Sequence, residues 1–90
     1  MKKINHTKIC SEKFFEQMQK LDSPKEVYFD NEKYCVNQIV KIIEVNNDKY
    51  TTGRTMKLKI HNVSVDSQIL LCSPPRIRTF KVLLVEPLKE

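Results

Sequence analysis

The hydrophobic positions of this chain fall into one stretch with helical spacing and several with strand spacing. Phe14, Phe15, Met18 and Leu21 recur three or four residues apart, with Glu16, Gln17, Gln19 and Lys20 on the opposite side. That pattern predicts an amphipathic helix of about three turns. Ser11 is placed to cap it, because its hydroxyl can accept from a free amide of the first turn. Glu12 sits well at the positive end of the helix dipole, and Asp22-Ser23-Pro24 stops the helix.

Strand patterns follow. Val27 and Phe29 alternate in residues 26–29, and residues 30–33 read as a turn. Residues 34–36 are extended, and Asn37-Gln38 marks a bend that tolerates left-handed backbone. Residues 39–45 are dense in β-branched side chains and read as a strand buried on much of both faces. Asn46-Asn47-Asp48 is a turn. Residues 55–61 alternate, with Met56, Leu58 and Ile60 inward and Thr55, Lys57, Lys59 and His61 outward. Residues 68–72 form a shorter apolar strand, and Ser73-Pro74-Pro75 breaks it. The last strand, residues 79–86, is expected to turn Phe80, Val82 and Leu84 inward, opposite Lys81, Leu83 and Val85, and Pro87 ends it.

The expected core is therefore Phe14, Met18, Val40, Ile42, Leu58, Val82 and Leu84. One helix followed by strands without alternating helices excludes a parallel α/β sheet and predicts an α+β fold. Short, strongly apolar strands are expected to curl into a small, mainly antiparallel β-barrel, which hides its edges. The whole chain, 1–90, reads as a single domain.

Composition changes this picture little. Hydrophobic residues make up 40% and charged residues 30%, which is ordinary for a globular domain. No apolar run approaches the roughly 20 residues that span a bilayer, and MKKINHTKIC lacks a signal-peptide apolar core. A cytoplasmic protein without membrane association is expected. Cys10, Cys35 and Cys72 have no metal-ligand spacing and read as buried reduced thiols, with no metal or other cofactor expected. Charge is more informative. Residues 1–45 carry 8 basic and 7 acidic side chains, whereas residues 46–90 carry 8 and 4. A basic half points to nucleic acid or an acidic protein surface as partner.

Four segments occur in a familiar order: His6-Thr7-Lys8-Ile9 with Phe14-Phe15-Glu16; Lys25 with alternating Val27 and Phe29; residues 36–44, VNQIVKIIE; and Tyr50-Thr51-Thr52-Gly53-Arg54. This order resembles the ASCH domains of the PUA-like superfamily. The first segment is similar to that family's His-x-Leu-Lys and Tyr-Phe-Glu, and the third to its Val-Gly-Asp-x-Leu-x-Leu-x-Glu. The fourth is similar to the Tyr-Thr-Gly-Arg turn of one branch with one residue inserted. The chain departs from the family at Ser23-Pro24, where the family has glycine, at Asp30, near the family's arginine, and at Asn37-Gln38, where it has Gly-Asp. The resemblance implies a small β-barrel with a helix at one side, associated with RNA or modified nucleosides. It makes Lys25, Glu26, Asn37, Gln38 and Tyr50 the pocket candidates. In members that hydrolyse acetylated cytidine, a lysine at the position of Lys25 acts with a threonine and a glutamate; here Glu26 and Val27 follow, so the threonine is missing.

No catalytic signature stands out in the residues. His6 and His61 have no serine or carboxylate motif beside them, and a single glycine excludes a glycine-built phosphate loop. The strongest functional signal is the basic set Arg54, Lys57, Lys59, Arg76 and Arg78, with His61 or Tyr50 as a stacking surface. The plain alternative is a solvated face whose lysines keep a sheet edge soluble. The expected function is a non-catalytic module that binds nucleic acid, RNA first. The alternatives are a small phage- or mobile-element-type inhibitor or adaptor that binds a protein, and a residual nucleoside amidohydrolase centred on Lys25.

Overall fold

Ser11 joins the first two elements. It ends β1 (His6–Ser11) in extended geometry, with φ −75° and ψ 163°, and its Oγ accepts from the Phe14 amide at 3.1 Å to open α1 (Glu12–Gln19). The structure is a computed structural model describing residues 3–88. After α1 come β2 (Lys25–Phe29), β3 (Ile39–Val45), β4 (Thr51–Leu70) and β5 (Arg76–Pro87). The helix spans 8 residues, about two turns, and is shorter than its apolar spacing predicts.

The strands form one mixed five-stranded sheet in the order β1-β3-β4-β5-β2. β1 runs parallel to β3, and the other three pairings are antiparallel. The fold is a small α+β arrangement. The expected barrel does not close: β1 and β2 remain the two edges of the sheet. Where these edges approach, side chains meet instead of backbones. Lys8 Nζ lies 2.8 Å from Asp30 Oδ2 and 2.5 Å from Glu32 Oε1. An open cleft of about 410 Å3 remains between the edges, lined by Cys10, Phe14, Phe29 and Ile42 among others. Both edge strands are short, and here ion pairs from Lys8 to the residues just past β2 tie the two edges where no backbone ladder forms.

Two expected strands are one. Residues 55–61 and 68–70 belong to a single ribbon strand, β4, that pairs with β5 from Leu58 to Leu70, and residues 71–72 lie in the loop beyond it. A straight strand of this length would span roughly 65 Å, yet the molecule's longest dimension is 47 Å, so β4 bends. Two irregularities bend it. One lies where Ile43 pairs with Thr55 but Val45 pairs with Thr51. The other lies between Ile60 and Asn62.

The core lies between the sheet and α1. Phe15 and Met18 of the helix pack with Val40 and Ile42 of β3, Leu58 and Ile60 of β4, Leu83 and Val85 of β5, and Tyr34. Phe14 is only half-buried and faces the cleft. The face of β5 is the reverse of the sequence expectation: Leu83 and Val85 are fully buried, while Val82 and Leu84 are half-exposed. The cause is pairing. Val85 stands opposite Ile60 and Leu83 opposite Val63, and directly opposed residues share a face. The thiols also differ from expectation. Cys10 is half-buried, but Cys35, in the coil before β3, and Cys72, in the β4–β5 loop, are exposed. Among the described residues no helix is long and apolar enough to cross a membrane.

Candidate nucleic-acid interface

β3 and β4 are the central strands, and alternation gives each a buried and an outer row. Val40 and Ile42 are buried on β3, so Lys41 between them points outward; Leu58 and Ile60 do the same for Lys57 and Lys59 on β4. Register then sets the cluster. Lys41 stands directly opposite Lys57, and Lys59 is opposite Ile39, one diagonal step from Lys41. Three lysines therefore share a small area of the face turned away from α1. Like charges directly opposed in a sheet are destabilising. Among the described residues neither Lys41 nor Lys59 has a carboxylate within ion-pair distance. Lys59 is the cross-strand partner of Glu86, which lies 3.3 Å from His61 Nε2 instead. At one margin Lys59 shares a small cleft with Lys3, Asn5, Asn37 and Ile39.

Arg54 lies elsewhere. Thr52, Gly53 and Arg54 bulge opposite Glu44, and Gly53 adopts φ +94°, a conformation that costs a glycine little. The bulge turns both Thr52 and Arg54 toward Glu44, which is fully buried. Arg54 Nε donates to Oε1 at 2.8 Å and Nη2 to Oε2 at 2.5 Å, and the Thr52 hydroxyl also donates to Oε1. The guanidinium sits 4.9 Å from the centre of the Phe15 ring. The Arg54 hydrogen bonds outweigh burial and hold the Glu44 carboxyl below the usual glutamate range. Arg54 thus clamps the end of the core.

Arg76 and Arg78 lie on the free half of the β4–β5 ribbon, paired with Leu70 and Gln68. The Arg78 guanidinium sits 5.3 Å from the Phe80 ring centre. The irregularity at His61 shifts the parity of β4, so this pair and the lysine cluster occupy the same outer face. They are not adjacent: Arg78 lies eight residues before Glu86 on β5, or about 26 Å along the strand. Glu26, Tyr28, Phe80 and Asp66 occupy the surface between.

The five pocket candidates do not converge. Lys25 and Glu26 are exposed on the edge strand β2. Asn37 (φ 72°) and Gln38 precede β3, where Asn37 N donates to Ile60 O at 2.8 Å. Gln38 Oε1 meets His6 Nε2 at 2.7 Å and accepts from Cys35 N at 2.9 Å. Tyr50 is exposed at the other end of β3, in the turn that begins at Asn46. Sequence reasoning missed Lys41. Its signal was present: a lysine between two buried aliphatic residues must face outward. Comparison with family models, with characterised proteins and with solved structures returned no match.

Proposed function

We propose that the chain is a non-catalytic, PUA-like binding module that holds a nucleic-acid backbone on the outer face of its sheet. The observation that carries this reading is the directly opposed pair Lys41 and Lys57 with Lys59 on the diagonal. Such a grouping concentrates positive charge on one face of the sheet, and an anion lying across it can be held by all three side chains. Phosphate oxygens spaced along a backbone suit three lysines on a rigid sheet. Arg76 and Arg78, the latter beside the Phe80 ring, extend the same face toward a base or a more distant phosphate. The preference for RNA over DNA rests on the resemblance to ASCH domains. No threonine follows Lys25, and the pocket candidates are scattered, so the reading includes no catalytic step.

The test is a salt titration of binding to a fluorescent single-stranded RNA, followed by anisotropy. Binding of the parent should weaken steeply with salt. Changing Lys57 and Lys59 together to glutamate should abolish it while leaving the circular dichroism spectrum of the fold intact, since neither side chain belongs to the core. Salt-independent or absent binding by the parent, or undiminished binding by the double variant, would overturn the reading. A protein partner would then take the place of the nucleic acid.

A further inference from the structure

The β3 strand ends its pairing with β4 at Lys59, but β4 continues to Leu70. From Asn62 onward, among the described residues, its backbone is paired on one side only, by β5. Natural edges of this kind are blunted by lysine, proline, a bulge or a covering element. Residues 62–70 contain no lysine, arginine or proline, and Asp66 is their single charge. The bulge lies before them, at Ile60/Asn62, and α1 packs on β1 and β3. The Ser67 amide donates to Asp66 Oδ1 at 2.9 Å, a local substitute for a ladder partner.

One face of this ribbon carries exposed apolar side chains, from Val65 and Ile69 on β4 to Leu71 just past it and Ile77 on β5. Val65, Ile69, Leu71 and Ile77 are 61%, 65%, 94% and 73% exposed. Val63 pairs with Leu83, Val65 with Lys81 and Ile69 with Ile77, so these side chains continue the face that is buried as core nearer α1.

We propose that this edge is an interface for a second copy of the chain, the two β4 strands pairing antiparallel about Ser67. A two-fold axis perpendicular to the sheet makes an edge its own partner, and directly opposed residues must share a face. Centred on Ser67, Val65 of one copy meets Ile69 of the other, and Val63 meets Leu71. The apolar stripes then merge across the axis. The neighbouring registers fit worse. Centring on Asp66 opposes two carboxylates, and centring on Val65 sets Ile69 against His61. The Ser67 register also places Asp66 opposite Gln68 of the other copy, whose partner across the ribbon is Arg78. Residues 67–85 carry three basic side chains and no acid, so apart from the other copy's own Asp66 the charges that Asp66 meets across the axis are basic. Both outer faces end on the same side of the joined sheet.

Sedimentation velocity over a concentration series tests this with the full chain. The parent should dimerise. Changing Val65 and Ile69 together to lysine sets like charges opposite each other in the pair and should give loss of the dimer with an unchanged circular dichroism spectrum. Independently, Ser67→Cys, in a background carrying Cys35→Ser and Cys72→Ser, should form a covalent dimer under mild oxidation. Asp66→Cys and Gln68→Cys should not, because each lies beyond the roughly 7 Å that a disulfide tolerates from its own symmetry mate. A parent that stays monomeric overturns the proposal, even if it captures another protein along this edge. A dimer that survives the double lysine variant without cross-linking at position 67 also overturns it. Neither outcome bears on RNA binding, which the salt titration measures separately.

Discussion

Arg54 reaches back across a three-residue bulge to hold both carboxylate oxygens of Glu44, at 2.8 and 2.5 Å. This fixes the acid side of the stability profile. Glu44 titrates lower when folded than when unfolded, so its contribution is fully present above the unfolded value of about 4.3. It is lost as pH falls through the lower folded value. Asp30 acts in the same sense, because its bonds from Lys8 and Tyr34 outweigh the burial that opposes them. Urea midpoints should therefore fall as acid is added from neutral pH. Glu44→Gln should lower the neutral midpoint and flatten that decline without abolishing it, since Asp30 remains. An acid limb unchanged by Glu44→Gln would remove the pair from any stabilising role.

Gly53 makes the bulge possible. A side chain there would meet nothing within 4 Å, so space is not the constraint. The left-handed backbone is, and Gly53→Ala should cost about 1–2 kcal/mol. Gly53→Asn should cost less, and denaturant titration would distinguish the two.

The reversed face of β5 makes a sharp comparison between neighbours. Leu83→Ala should cost about 2–5 kcal/mol, as should Leu58→Ala, because both are fully enclosed. Leu84→Ala should cost well under half as much. Equal losses at 83 and 84 would contradict the pairing of Val63 with Leu83.

Lys41 should show a trade-off. Lys41→Thr relieves the opposed lysine pair and should stabilise the fold by about 0.2–1 kcal/mol. The same change should reduce the salt slope of RNA binding by about one unit. A gain in stability with affinity unchanged would exclude Lys41 from the interface.

What the sequence made legible was local. The Met56, Leu58, Ile60 alternation places the faces of the first part of β4 correctly, and Ser11 and Asn37 sit in the conformations their chemistry predicts. What escaped depends on partners distant in the chain. Nothing near Phe80 says that Val85 will stand opposite Ile60, which with ordinary alternation puts Leu83 and not Leu84 on the core side of β5. Nothing in residues 61–67 signals a break or its absence, so one long strand reads as two. Of the candidate site, Lys57 and Lys59 were legible from alternation. Arg54 was not separable from them, because its role depends on a glutamate ten residues earlier and on the bulge between. Lys41 was hidden by the hydrophobicity of its neighbours, although they are what aims it outward.

The strand order has a kinetic side. β3, β4 and β5 are sequential antiparallel neighbours, so their contacts form a meander. β1 and β2 are added at its two ends, β1 in parallel on β3 and β2 on β5, where Lys25 pairs with Val85. Pairings that distant in sequence must close long loops before they gain anything. Synthesis and assembly therefore run in opposite directions. The helix and the two edge strands are made before β3, β4 and β5, but β2 has no partner until β5 has been made. Until β5 is made, Phe15 and Met18, the helix's share of the core, can cover only the β3 and β4 part of their sheet, and Leu83 and Val85 are still missing from it.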